Sequence, residues 1–180
     1  MNEATNLINF ELPGTTPVIE MACEVQAADM ARPVKFKVLW DRLDREAHKE
    51  LSEEMRNDGH QLMLTRRELQ KYDAYGEALE RGEVLDKFDD IDLSEKMAEM
   101  YGIVDELEEK RLNRVRQYFK GVKGFPAGGN KKIDVLPDDA ENIEGLLGRM
   151  LEWDHYIEGL AGSLEKSTNT AKRNEAKAKN

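Results

Sequence analysis

The sequence predicts an α+β chain: a small N-terminal antiparallel β-hairpin or sheet, then a mostly α-helical body with a long helical hairpin. Three observations carry that expectation. Two strand-length runs, "VIEMACEV" (18–25) and "VKFKVLW" (34–40), lie close together; capping signals recur after them; and the later segments repeat apolar residues at steps of three and four.

Residues 1–16 are polar and broken by Pro13 and Gly14, so they read as a flexible arm. In the second strand Val34, Phe36, Val38 and Trp40 share a face, because side chains alternate across a sheet. A two-stranded hairpin is marginal in water, so that face needs a cover, and the following helix is the nearest candidate. Asp44 caps that helix, which is expected over about 45–57 with Ala47, Leu51 and Met55 as its stripe and Asn57-Asp58-Gly59 as its stop. Thr65 with Glu68 gives a capping box, flanked by Leu64 and Leu69 as a hydrophobic staple, for a helix ending at Gly82.

Asp92 and Glu95 repeat the box before a helix over about 93–121, with Met97, Met100, Val104, Leu107, Leu112, Val115 and Phe119 on one drifting stripe. "KGVKGFPAGGNKK" reads as a flexible connection, so this helix is expected to pair with the one beginning after Pro137. That last helix, entered through Asp138 and Glu141, carries Ile143, Leu146, Leu147, Met150, Ile157, Leu160 and Leu164 in its stripe. It repeats "IEGLLG" (143–148) as "IEGLAG" (157–162), and four interior glycines at about 1 kcal/mol each point to close approach of another backbone, to a helix meant to bend, or to tolerated weakness. The expected organisation is an arm over 1–16, a β-hairpin plus helix module over 17–58, a helical body over 59–165 with a loop at 122–136, and a disordered basic tail over 166–180.

Charge limits the function classes. The 180 residues carry 37 acidic and 27 basic side chains, a net charge of -10, which argues against direct binding of a nucleic-acid backbone. Cys23 is the single cysteine, so neither an internal disulfide nor a Cys-rich zinc cluster is available. The chain shows no apolar run of membrane-spanning length, and "MNEATNLINF" lacks signal-peptide regions, so a cytoplasmic location is expected, that of the host cell if the protein is viral.

No motif points to catalysis, a cofactor or a metal. Gly124 and Gly129 have the spacing of a phosphate-binding loop, but Asn130-Lys131 stand where Lys then Ser or Thr is required. His48, His60 and His155 lack zinc-ligand spacing, and His48 and His155 read as solvent-exposed. The expectation is a non-enzymatic protein without cofactor.

The hairpin ending in "FKVLWDRLDREAHKELSEE", the acidic helical body, the late "ENIEGLLGRMLEWDHYIEGL" helix and the "AKAKN" end together resemble the tail assembly chaperones of long-tailed bacteriophages. The resemblance lies over about 17–58 and more loosely over 140–180; residues 60–136 fall outside it. It implies a protein that coats and solubilises the tape-measure protein, helps recruit tail-tube subunits and carries no catalytic group. Self-association is a further expectation.

The candidate partner-binding residues are Trp40, Met100, Leu107, Leu147, Met150, Trp153, Tyr156, Ile157 and Leu160. Apolar stripes usually face their own domain, so Leu146, Leu147, Met150, Ile157 and Leu160 are expected as core ahead of interface. Met-rich, adaptable stripes suit binding of partner helices. The competing class is an acidic nucleic-acid mimic using Asp86, Asp89, Asp90 and Asp92, or another helical adaptor; interleaved Lys and Arg weaken the mimic, which needs an unbroken negative track.

Overall fold

A computed structural model of the chain describes residues 18–28, 30–82, 92–127 and 131–178, with side chains through residue 168. The expected arm, Asp86, Asp89, Asp90 and the glycines at 128 and 129 lie outside the described residues. The elements are β1 (Val18–Val25), β2 (Val34–Asp41), α1 (Arg45–Glu80), α2 (Leu93–Tyr118), β3 (Phe119–Pro126), β4 (Lys132–Val135), α3 (Ala140–Met150) and α4 (Asp154–Ala178). The α+β expectation holds, but the sheet is larger than a hairpin: four antiparallel strands in the order β1-β2-β3-β4, two of them from after the helical hairpin.

Alternation places Cys23 and Val25 of β1 on the same face as Phe36, Val38 and Trp40 of β2, with Val25 opposite Val34 and Cys23 opposite Phe36. Strand β3 departs from alternation twice. Its register shifts beside Trp40 and again between Val122 and Phe125, and each shift returns the next apolar residue to the core face. Phe119, Val122 and Phe125 therefore face inward at intervals of three. Gly121, with φ +134°, is held where a Cβ would collide with the Val135 carbonyl oxygen. The segment expected as a loop at 122–136 is thus largely a β-hairpin.

The other face of the sheet is mainly charged, apart from Leu39, which is buried. Lys35 pairs with Glu24 at 3.0 Å, while Glu20 bridges Lys37 at 3.0 Å and Lys123. The two cationic partners, Lys123 foremost, hold the Glu20 carboxyl below its ordinary range.

The expected cover for the hairpin is corrected: α3 and α4 supply most of it, and α1 adds only Met55 at the margin. Leu146, Leu147 and Met150 of α3 and Leu160, Ala161 and Leu164 of α4 close the core over Phe36, Val38 and Trp40. The late helix is two helices, broken at residues 151–153, where the Trp153 carbonyl accepts from Tyr156 and Ile157 at 3.0 and 3.2 Å and so starts α4. Of its glycines, Gly159 lies against β1, where a Cβ would sit 2.7 Å from Val25 Cγ2 and 3.3 Å from the Glu24 carbonyl; Gly145, Gly148 and Gly162 face open space. Nor does the backbone become irregular at 166. Helix α4 runs to Ala178, its buried face continued by Ser163, Ser167 and Thr168, small polar residues that a hydrophobic pattern does not register.

The helical hairpin is also re-paired, being formed by α1 and α2. Asp44 caps α1 as expected, accepting from Glu46 and Ala47 N–H at 3.0 and 2.9 Å, and Asp92 caps α2 through Glu95 N–H at 3.1 Å. The expected stop at Asn57-Asp58-Gly59 does not act. Leu51, Met55, Asp58, Leu62, Thr65, Leu69, Tyr72 and Gly76 form one unbroken heptad seam at alternating steps of four and three. In α2, Leu93, Met97, Met100, Val104, Leu107 and Arg111 step the same way.

Asp58 is spent on Arg114 of α2, not on ending the helix, and Thr65 donates to Gln61 O at 3.0 Å in mid-helix in place of capping. Arg66 to Glu108 at 2.8 Å confirms the antiparallel pairing. Gly82, with φ +74°, ends α1 as expected, its N–H donating to Leu79 O at 2.9 Å.

Candidate functional site: a groove between α1, α2 and α4

Where α4 crosses the base of the α1–α2 hairpin, the three helices leave a groove of about 690 Å³. Its floor is apolar because the heptad seams of α1 and α2 and the core stripe of α4 meet there: Met55, Leu62, Leu107, Ala161 and Leu164. Its walls are charged and unlike. Arg56, Arg66, Arg111 and Arg114 stand on the α1–α2 side with Asp58, whereas α4 contributes Glu158 and Glu165.

Arg114 is held by Asp58 and by Glu54 at 3.6 Å, and Arg66 and Arg111 both reach Glu108, at 2.8 and 3.5 Å. Arg56 is exposed and makes no ion pair among the described residues. Gly59 stands bare on the α1 wall: a Cβ there would meet nothing within 4 Å.

A smaller recess of about 280 Å³ lies between β1 and α4, lined in part by Cys23, His155 and Lys166. Burial pushes the Cys23 thiol up to about 12, so it is protonated and unreactive at neutral pH. Among the described residues, no group of three or more His, Cys, Asp or Glu side chains is placed to hold a metal ion. No described helix is long and apolar enough to cross a membrane.

The partner-binding candidates taken from the sequence are not gathered into one surface. Trp40, Leu147, Met150 and Leu160 are buried in the sheet–helix core, and Met100 and Leu107 are buried along α2. In this conformation they hold the fold together and are closed to a partner, except that Leu107 reaches the groove floor. Tyr156 and Ile157 are half-buried; Tyr156 packs its ring 6.1 Å from Phe125, and burial raises its phenol pKa. Trp153, 58% exposed at the α3–α4 turn, is open to solvent, with His155 6.0 Å away.

His48, expected to be exposed, is half-buried, and its Nε2 has no hydrogen-bond partner. Asp92, counted with the acidic patch, is occupied in capping α2. Sequence reasoning took Gly59 for part of a helix stop and missed the four arginines. The signal that finds them is heptad phase, which sets Asp58, Gly59 and Arg111 on or beside the seam.

Comparison of the chain with protein-family models, with curated proteins and with solved structures finds no match.

Proposed function

We propose that the chain is a non-enzymatic chaperone of phage tail assembly that binds the tape-measure protein, keeps it soluble and helps bring tail-tube subunits to it. The observation that carries this reading is the groove between α1, α2 and α4. A long, open cleft with an apolar floor and charged walls suits a helical segment of another protein, since an amphipathic helix buries its apolar stripe in such a cleft and leaves its flanks to the rim. The resemblance over 17–58 adds the partner, and the order β1-β2-α1 with Asp44 at the helix start is compatible with it. A net charge of -10 favours keeping an aggregation-prone partner dispersed. The work is proposed for the cytoplasm of the host cell.

Co-expression with the tape-measure protein tests the reading. The soluble yield of that long helical protein should rise several-fold, and the two should co-purify; unchanged yield without co-purification rejects it.

A further inference from the structure

We infer that the groove between α1, α2 and α4 docks an amphipathic partner helix of three to four turns that carries one acidic and one basic flank. This deepens the chaperone reading and rests on it for the identity of the protein that supplies the helix.

Dimensions come first. Groove residues span positions 52–66 on α1 and 158–168 on α4, roughly 15–21 Å at 1.5 Å per residue, which is three to four helical turns. Gly59 supplies an independent argument. An interior helical glycine costs about 1 kcal/mol relative to alanine, yet nothing in the fold stands within 4 Å of where its Cβ would be. The chain's own packing gives no reason for a glycine there, as it gives none at Gly102, Gly145, Gly148 or Gly162; what sets Gly59 apart is its place in the groove wall. A backbone left bare in a groove wall lets a second helix approach closely.

The walls then select charge. On the α1–α2 wall Arg66, Arg111 and Arg114 are already held by Glu108, Asp58 and Glu54, so Arg56, which makes no ion pair among the described residues, is the cation that takes the acidic flank; Glu158 and Glu165 of α4 take the basic flank. Reversing the direction of an amphipathic helix exchanges its left and right flanks. Two walls of opposite sign therefore set the direction in which the partner lies, as well as its affinity.

The test uses the full chain and labelled 14-residue peptides, about four helical turns, with one Leu-rich face, followed by fluorescence anisotropy at low salt. One peptide carries Glu on one flank and Lys on the other; two controls carry Glu on both or Lys on both. The mixed peptide should bind at least tenfold more tightly than either control. Gly59→Phe, which fills the groove, and Arg56→Glu, which reverses the unpaired charge, should each weaken it tenfold or more without lowering the melting temperature.

Equal binding of the three peptides overturns the inference, as does indifference to both variants. If Gly59→Phe fails to fold, Arg56→Glu at its exposed position decides alone. Concentration-dependent self-association abolished by Arg56→Glu overturns the partner assignment and makes a second copy the occupant. Two further results separate the inference from the chaperone reading. Normal solubilisation of the tape-measure protein by both variants defeats the groove and leaves the chaperone standing. Selective peptide binding with no effect on the tape-measure protein supports the groove and defeats the chaperone.

Discussion

The indole N–H of Trp40 donates to the Ser163 hydroxyl oxygen at 3.1 Å, with both side chains buried, and so ties the centre of the sheet to the helix lying across it. Removing the acceptor by Ser163→Ala strands the indole N–H, at a cost of about 1–3 kcal/mol. Adding Trp40→Phe to Ser163→Ala should cost less than the two single losses combined, because the second change removes the stranded donor. Urea unfolding of the four proteins measures the coupling, and strictly additive losses would show that the bond contributes nothing.

Gly159 and Gly162 are three residues apart on α4 and should respond oppositely to alanine. Gly159→Ala drives a methyl to 2.7 Å from Val25 Cγ2 and to 3.3 Å from the Glu24 carbonyl, and should destabilise by roughly 1–3 kcal/mol as overpacking does. Gly162→Ala meets nothing and should stabilise by up to about 1 kcal/mol through helix propensity. Thermal melts of the two variants check the opposite signs.

The pair Asp58–Arg114 sits within the helical hairpin, its side chains 23% and 15% exposed. Asp58→Ala leaves Arg114 with Glu54 alone and should cost about 1–3 kcal/mol. The double change Asp58→Leu with Arg114→Leu should cost less than Asp58→Ala, because it replaces a polar layer of the seam by an apolar one. Chemical denaturation ranks the variants; a double mutant less stable than Asp58→Ala would contradict this account.

Two groups set expectations with pH. Glu20 is held below its ordinary value of 4.5 by Lys123 and Lys37, so its contribution is present above pH 4.5 and disappears as pH falls through its lower folded value. Solvent screening at this exposed site keeps that contribution under about 1 kcal/mol. Comparing Glu20→Gln with the parent chain at pH 6 and pH 3 should show a difference at the higher pH that shrinks at the lower.

Cys23 acts at the other extreme. Its thiol, ordinarily near 9, is raised to about 12 by burial, so the unfolded chain ionises first and stability falls as pH climbs from 9 toward 12. Alkylation at pH 8 should be slow in native protein and rapid in urea, and Cys23→Ala should flatten the alkaline loss of stability.

Features set by near neighbours were legible in the sequence. The inward face of β2, the caps at Asp44 and Asp92 and the stop at Gly82 each depend on a few adjacent residues. What was not legible depends on distant partners. Asp58 reads as a helix stop until Arg114, 56 residues away, claims its carboxylate. Strand β3 hides its period because two register shifts space Phe119, Val122 and Phe125 by three, which no alternation search recovers. The groove was invisible for a related reason: its arginines and glutamates come from three helices, and each is one among 64 charged residues until the helices meet.

The insertion of the α1–α2 hairpin between β2 and β3 has a kinetic consequence. Trp40 must find Phe119 to join the two halves of the sheet, and closing a free loop of roughly 80 residues costs about 4 kcal/mol of chain entropy. Zipping of the heptad seams ahead of the central strand pair would bring residues 41 and 119 together, so the helical arm is expected to act as a folding intermediary for the sheet. Mutations that loosen the far end of the arm should therefore slow sheet formation while leaving every sheet contact intact.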